Sequence, residues 1–480
     1  MSIAFPTGPR RRGFLRGAAA LAGVFGAGNA ANLLLGAGVA RAADYKALVC
    51  VFLYGGNDGM NTVLPTDASR WSQYSAVRGA LALPRSSLLT LPGSDYALHP
   101  ALAALAPAWA AGHLAPVFNV GPLRTPLSKS QMLSVGPNSP LLPGGLYSHS
   151  DQQQLWESGG ADVAQRTGWG GRAADELATV NPVISVSTAA RFCLSAKRTP
   201  IVVPAPGADF GAYGLRAADQ QWATNAARKA AVDTLLAQAQ EIDLADAFRA
   251  QQVDAFSVSA RLAALVKARP GGPGALPALD AAFAPLIRSG QFTTGLASQL
   301  YQAASLIAGN AAVGGNRQIF FAQLDGFDTH ANQIVLGDPT RGVHADLLAE
   351  LGDALGAFHA ALDLLGLGGA VTTCTHSDFG RTFTPNTSLG TDHGWGSTQL
   401  VLGAAVRGGR TYGIYPQLVL GGSDDVGTAA WDAQGRWIPT LSVDQYAATL
   451  LAWFGATPAV QATVLPNLAN FGAAPRLDFV

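Results

Sequence analysis

Cysteine and charged residues are scarce in this chain of 480 residues, and each scarcity narrows the classes of protein and site that the chain can form. The three cysteines provide neither a disulfide framework nor a CxxC metal motif, and the apolar runs around Cys50 and Cys374 predict buried, inert thiols. Only 13% of the residues are charged and 49% are apolar, so a large buried core is expected. A G-x-S-x-G elbow is lacking and no G-x-G-x-x-G follows a strand, which disfavours an α/β-hydrolase triad and a dinucleotide-binding fold.

The first 42 residues have the layout of an export signal. Three arginines at positions 10–12 precede Phe14, a Gly- and Ala-rich segment spans residues 17–39, and residues 40–42 form an A-x-A cleavage site. This pattern predicts a signal peptide that the twin-arginine translocase recognises and that is removed after export, and the alternative is an N-terminal membrane anchor. The mature protein is therefore expected in the bacterial periplasm or outside the cell.

Removal of residues 1–42 would also change the charge of the protein. That segment carries five arginines and no acidic residue, so the 31 basic residues fall to 26 against 31 acidic ones, a net charge of −5. An acidic balance argues against nucleic acid as a partner. No transmembrane segment follows the signal, so no membrane anchor is expected after cleavage. Residues 43–480 are predicted to form a single domain.

The mature chain alternates between strand-like and helix-like segments. Continuous apolar runs at residues 46–53, 317–324 and 370–375 predict buried parallel strands, and an amphipathic stripe at residues 344–365 predicts the helix between the last two. Such alternation is typical of an α/β protein, here a three-layer α/β/α sandwich around a mostly parallel sheet. A region at roughly residues 210–310 is rich in helix formers and is interpreted as a helical insertion.

Acidic residues and histidines follow three of the predicted strands, at the edge where α/β sheets bind ligands. Carboxylate oxygens and imidazole nitrogens gathered from several loops are what a divalent cation requires. A single acid beside glycines is more often a turn or a helix cap, so the prediction depends on the recurrence at three strands. Asp392 and His376 are close in sequence and could replace a neighbour in the set. The predicted metal ligands are Asp58, Asp328, His330, Asp378 and His393.

Three further residues are predicted to be catalytic: Ser148, His149 and Arg381. Ser148 could be a nucleophile activated by a metal or a base, or Ser148 or Ser150 could simply cap the following helix. The Arg381 guanidinium could clamp a phosphate, sulfate or carboxylate, or pair with the acids beside it. Four more histidines lie on or beside predicted helices and are interpreted as structural: His99, His113, His344 and His359.

Six stretches carry a resemblance to a known family: residues 51–62 (VFLYGGNDGMNT), 98–102 (LHPAL), 148–153 (SHSDQQ), 327–330 (FDTH), 378–382 (DFGRT) and 391–394 (TDHG). Together they resemble a large bacterial family of twin-arginine-exported proteins, domain of unknown function 1501, over nearly the whole mature chain. That family is similar to a remote branch of the alkaline phosphatase superfamily, whose better-known members include sulfatases and metal-dependent phosphoglycerate mutases.

The resemblance implies an α/β/α sandwich with a centre of one or two divalent ions, often zinc, manganese or calcium. Ser148 would match the superfamily's Ser/Thr nucleophile. Phe379 stands where the superfamily has a metal-binding histidine, and the Asp-x-His spacing at residues 328–330 is shorter than the superfamily's. The residues that would match its metal ligands are Asp58, Asp328, His330, Asp378 and His393.

Three functions are consistent with these patterns. The first is an exported metal-dependent hydrolase of phosphate or sulfate esters, whose substrate is a small anionic ester or a glycan. The alternative is a non-catalytic protein of the cell envelope that keeps the fold and a residual ion site. A third hypothesis is a serine hydrolase without metal, which would lose activity on Ser148→Ala but not on chelation.

Overall fold

A computed structural model of the protein describes residues 44–136, 139–160, 162–239, 241–427, 433–472 and 476–480. The predicted signal peptide lies outside these residues. The strands of the described chain are β1 (Lys46–Leu53), β2 (Val63–Pro65), β3 (Leu89–Thr90), β4 (Tyr96–Leu98), β5 (Leu114–Gly121), β6 (Ile184–Ser185), β7 (Ile201–Val202), β8 (Ile287–Arg288), β9 (Gln291–Phe292), β10 (Arg317–Leu324), β11 (Val371–Ser377), β12 (Ser397–Leu402) and β13 (Leu441–Ser442).

The α-helices of the same residues are α1 (Gly59–Thr62), α2 (Ala68–Arg78), α3 (Ala106–Ala110), α4 (Lys129–Leu133), α5 (His149–Ser158), α6 (Trp169–Glu176), α7 (Ala223–Leu236), α8 (Asp243–Lys267), α9 (Pro277–Phe283), α10 (Gly295–Ala308), α11 (Asn310–Val313), α12 (Val343–Leu364), α13 (Val443–Phe454) and α14 (Pro458–Val464). A capping box of Ser442 and Gln445 begins α13 and Gly455 ends it in the left-handed conformation.

The central sheet has eight strands in the order β13-β5-β12-β11-β1-β10-β6-β7. Its neighbours are parallel except at β12, which runs antiparallel to β11 and β5. Strand β1 lies between β10 and β11, and its residues from Ala47 to Leu53 are at most 1% exposed. A strand covered on both faces requires a continuous apolar run, which is why its sequence does not alternate.

Helices cover both faces of this sheet. On one face α5, α6, α13 and α14 bury a core with alternate residues of β1, Leu48, Cys50 and Phe52. On the other face α10 packs against β10, and α12 packs against α10. The predicted three-layer α/β/α sandwich around a mostly parallel sheet is confirmed. No helix in the described part of the chain combines the length and the apolar character needed to span a bilayer.

Two features depart from simple sequence patterns. The helical region at roughly residues 210–310 is divided, since α7 ends at Leu236 and α8 begins at Asp243. That this region is an insertion stays a prediction. Strand β12 was not predicted, because it begins with the polar residues 397–399. These are nevertheless buried, and Gln399 accepts a hydrogen bond from Thr375 on the neighbouring strand at 2.9 Å.

The ends of three parallel strands meet at one edge of the sheet. Leu53 of β1 is in register with Leu324 of β10 and Ser377 of β11, so the loops that follow these strands are adjacent. Gly55 lies at this junction with a φ of +111°, and a Cβ there would be 2.3 Å from the Asp328 nitrogen. The close approach therefore requires glycine at this position.

Gly55→Ala is expected to lower the free energy of unfolding by more than about 1 kcal/mol, because it adds a backbone collision to a disfavoured φ. Gly93→Ala is the matched control, since Gly93 has a φ of +79° but nothing within 4 Å of its Cβ position. Chemical denaturation of both variants measures the difference. Equal losses would contradict the collision at Gly55.

Candidate metal centre

Three side chains from separate elements converge at this edge of the sheet: His149, Asp328 and His393. His149 is the first residue of α5, Asp328 follows β10, and His393 precedes β12. Asp328 Oδ1 lies 3.3 Å from His149 Nε2 and 3.4 Å from His393 Nε2. A tetrahedral ion with ligands at about 2.0–2.1 Å has ligand–ligand edges of about 3.3 Å. The spacing therefore suits a small divalent cation.

His330 lies beside this group. Its Nε2 is 3.1 Å from Asp328 Oδ1 and 2.8 Å from His393 Nε2. Its side chain is 44% exposed, compared with 29% for His149 and 23% for His393, so it lies on the solvent side of the cluster.

The three imidazoles are oriented by oxygen acceptors. Each Nδ1 lies within hydrogen-bond distance of a carboxylate or carbonyl oxygen, which can only accept, so Nδ1 carries a hydrogen and Nε2 faces the cluster. Metal-binding histidines are commonly held in this way. The pairs are His149 with Asp378 Oδ2 at 2.7 Å, His330 with Asp392 Oδ1 at 2.8 Å, and His393 with the Tyr147 carbonyl at 2.7 Å.

Two observations indicate that the donor set fits a cation. His149 Nε2 is buried without a hydrogen-bond partner, because its contact with Asp328 has the distance of an ion pair but not the alignment of a hydrogen bond. The Nε2 atoms of His330 and His393 face each other at 2.8 Å, which is repulsive for two lone pairs unless a proton lies between them or a cation binds one of them. A divalent ion held by His149 and His393 would give the first atom a partner and engage one of the two facing lone pairs.

The charges and burial around the cluster favour protonation states that can bind a cation. Burial opposes ionisation of Asp328, but the hydrogen bond and charge of Arg381 outweigh it and lower the pKa of that carboxyl. Burial lowers the pKa of His393, which keeps the ring neutral. The hydrogen bond to Asp378 raises the pKa of His149, so protonation of His149 stabilises the metal-free fold below the pKa of an unfolded histidine. That stabilisation is lost as pH rises through the raised value.

Asp58, predicted as a ligand, lies outside this group. It is 1% exposed and forms an ion pair with Arg78, which is itself fully buried. Gln333 Nε2 donates to the same carboxylate at 2.6 Å. Burial opposes ionisation of Asp58, yet the charges of Arg78 and His344 and the hydrogen bonds lower its pKa. In the described structure Asp58 neutralises a buried arginine beside the site.

Asp378, also predicted as a ligand, supports a histidine. It is fully buried, and besides His149 it accepts hydrogen bonds from the Gly55 nitrogen at 3.1 Å and Gln153 Nε2 at 2.8 Å. Its carboxylate therefore sets the ring orientation of His149. Asp392, proposed as a substitute ligand, does the same for His330 and accepts from Asn386 and Gln434.

Arg381 is 1% exposed and its guanidinium is directed into the protein. Apart from the Asp328 carboxylate at 2.8 Å, its acceptors are backbone carbonyls. Arg381 therefore acts on the cluster through Asp328. The carbonyl acceptors are those of Gly55, Gly56, Phe327 and Thr391.

Ser148 precedes His149 at the start of α5. It occupies the N-cap position without a side-chain cap hydrogen bond, and its Oγ lies 3.2 Å from Ser150 Oγ. Within the described residues, no hydrogen bond joins Ser148 to the histidines. Its role as nucleophile stays a prediction.

One contributor to the site, Tyr147, carries no sequence signal of its own. The Tyr147 carbonyl holds His393, and the Tyr147 backbone has a φ of +69°, a strained value for a residue with a side chain. The Phe379 ring packs against both His149 and His393, at centroid distances of 4.8 and 4.6 Å. His376 is buried among aromatic rings behind the site, beside Cys50 at 3.5 Å.

Asp378→Asn is expected to lower the pKa of His149 in the metal-free protein, because it removes the negative charge that stabilises the imidazolium. Titration of the His149 ring by NMR measures this. Asp392→Asn is the matched control, since Asp392 contacts His330 instead. An unchanged His149 pKa in Asp378→Asn would show that the hydrogen bond is not formed in solution.

The profile of a family described as "Protein of unknown function (DUF1501)" matches residues 45–427. No curated protein matches the sequence. Among solved structures, the crystal structure of Ps i-CgsB in complex with k-i-k-neocarrahexaose is similar over 89% of this chain and 77% of that chain, with 12% sequence identity and a TM-score of 0.33. A likeness at that score assigns neither fold nor ligand. The family match covers well over half of the chain, and the protein therefore belongs to the DUF1501 family of unknown function.

Proposed function

We propose that this protein is a metal-dependent hydrolase of phosphate or sulfate esters, with a small anionic ester or a glycan as substrate. The convergence of His149, Asp328 and His393, whose ligand atoms lie within 4.8 Å of one another, supports this proposal. When bound there, a divalent cation supplies Lewis-acid polarisation of an ester oxygen and acidifies nearby water. Two imidazoles and one carboxylate favour zinc over manganese or calcium.

The side chains in and around the cluster would have different roles in catalysis. Arg381 holds the Asp328 carboxylate in place at 2.8 Å, and Asp378 fixes the ring of His149. His330 is the most exposed of the three histidines and is held by Asp392. Its Nε2 can therefore accept a proton from water or donate one to the leaving oxygen. Substrate would approach from this exposed side.

We also propose that the mature protein acts in the bacterial periplasm or as a secreted protein, after export by the twin-arginine translocase. The arginines at positions 10–12 and the A-x-A site at residues 40–42 support this. The cysteines Cys50, Cys193 and Cys374 are buried and free, so folding before export needs no oxidation step.

Asp328→Asn and His393→Gln are each expected to remove about one equivalent of divalent metal per chain, because each deletes a ligand of the same ion. Protein purified without chelator and analysed by elemental mass spectrometry tests this. The matched control is Asp325→Asn, an exposed acid in the same loop, which is expected to leave the metal content unchanged. Protein that holds the metal is then assayed on phosphate and sulfate esters.

Undiminished metal in both variants would contradict the proposed centre. So would a folded wild type that takes up no zinc, manganese or calcium. Loss of ester hydrolysis on Ser148→Ala but not on chelation would indicate a serine hydrolase without metal.

His330→Gln is expected to lower kcat by about 10²- to 10⁴-fold on an ester that the wild type hydrolyses, while the metal is retained, because the variant cannot transfer a proton. Steady-state kinetics across pH, beside metal analysis of the same sample, measures both quantities. Loss of metal from His330→Gln would instead make His330 a ligand.

One observation favours a second function, that of a non-catalytic protein of the cell envelope. The Arg381 guanidinium is buried against backbone carbonyls and Asp328, so it presents no positive charge to a substrate anion. Such a protein would keep the ion and bind a glycan or a partner protein. Stoichiometric metal together with glycan binding, but without turnover of any phosphate or sulfate ester, would favour it.

A further inference from the structure

A second cluster of metal-ligand side chains lies at the opposite edge of the sheet, where β5 and β11 begin. His359 and Asp363 are one turn apart on α12, and His113 directly precedes β5. His359 Nε2 lies 3.1 Å from His113 Nδ1 and 3.4 Å from Asp363 Oδ2. The three ligand atoms lie within 4.8 Å of one another. Residues four apart on a helix share one face, so the approach of His359 and Asp363 follows from their spacing, and the fold brings His113 to them.

The contacts within this cluster compete with one another. His359 Nε2 carries either one hydrogen or one lone pair, so it can serve His113 or Asp363 well, but not both. A cation bound to all three atoms satisfies them together. Two imidazoles and a carboxylate are the donor set of zinc and related first-row divalent ions.

The surroundings of Asp363 attract positive charge. It lies in the last turn of α12, where the helix dipole is negative, and that turn has no basic residue. His359 and Asp363 also line a cavity of about 570 Å³. Among the described residues that line it, the only other charged one is Asp353, and none is Lys or Arg. The electrostatic field at the cluster therefore favours a cation.

The backbone holds the three ligands in place. The His113 nitrogen donates to the Ala108 carbonyl at 2.8 Å, and its carbonyl accepts from the Gly403 nitrogen at 2.9 Å. A Cβ at Gly368 would lie 2.0 Å from Asp363 Oδ1, so glycine at that position leaves room for the carboxylate. His359 is 8% exposed and Asp363 has a side chain 44% exposed, which gives the site a solvent side through which an ion can enter.

We propose that His113, His359 and Asp363 form a second divalent-cation site, of the zinc type. It is independent of the strand-end centre, the proposed metal centre of His149, Asp328 and His393. With three protein ligands, the ion keeps a coordination position open to the adjacent cavity. The ion would join the turn before β5 to the end of α12. His113 and His359, interpreted from the sequence as structural, are then ligands.

To test this, the full chain is stripped of metal and dialysed to equilibrium against zinc. The zinc content per chain is then measured by elemental mass spectrometry. The wild type is expected to bind about two equivalents, and Asp363→Asn and His113→Gln about one, because loss of a ligand weakens the site by at least about 10- to 100-fold. Asp353→Asn is the matched control. It removes a charge from the same helix and cavity but lies ten residues, or about 15 Å, from Asp363 along the axis, and it should keep both ions.

Asp328→Asn separates this proposal from the proposed function, since it should remove only the other ion. In that background, zinc should still raise the melting temperature, and the added Asp363→Asn should abolish the rise. Loss of zinc in Asp363→Asn but not in Asp328→Asn would support this site and contradict the strand-end centre. Wild-type zinc content in both Asp363→Asn and His113→Gln, or an equal loss in Asp353→Asn, would overturn the proposal.

Discussion

The buried guanidinium of Arg381 is the interaction on which the candidate metal centre depends. A charge that is 1% exposed must be compensated where it lies, and here the compensation comes from backbone carbonyls and the Asp328 carboxylate. The carbonyls belong to the loops that follow β1 and β10 and to the segment before β12. One side chain therefore fixes these three loops to one another and holds Asp328 between the histidines.

The acidic residues near the strand ends have different structural roles because they contact different partners. Asp58 neutralises the buried Arg78, whereas Asp378 and Asp392 accept hydrogen bonds from His149 and His330. Asp328 alone among these four contacts the Nε2 side of the imidazoles. In the proposed centre one carboxylate would be a ligand and two would orient histidines, and an orienting carboxylate also makes its histidine a stronger donor.

The sequence was sufficient to predict the three-layer sandwich and the edge of the sheet at which the candidate site lies. Continuous apolar runs such as residues 46–53 identify buried parallel strands, and the acids and histidines follow these strands. It was not sufficient to tell which acids contact the Nε2 side of the imidazoles and which contact other groups. Asp58 and Asp378 resemble ligands in sequence, and only the tertiary positions of Arg78 and His149 show what they contact. Strand β12 was missed for a related reason, since its buried polar residues are satisfied by partners distant in sequence, such as Thr375.

Phe379 connects the packing of the site to the number of ions it can hold. It stands where the resemblance implies a metal-binding histidine, and a phenyl ring has no lone pair to donate. The ring lies 4.6 Å from His393 and 4.8 Å from His149, centroid to centroid, so it restricts the orientation of both. Gly56, with a φ of +87°, leaves room for it, since a Cβ there would be 2.5 Å from the ring. Phe379 therefore orients two of the proposed ligands without adding one, and we infer that a strand-end centre built from these residues would hold one ion.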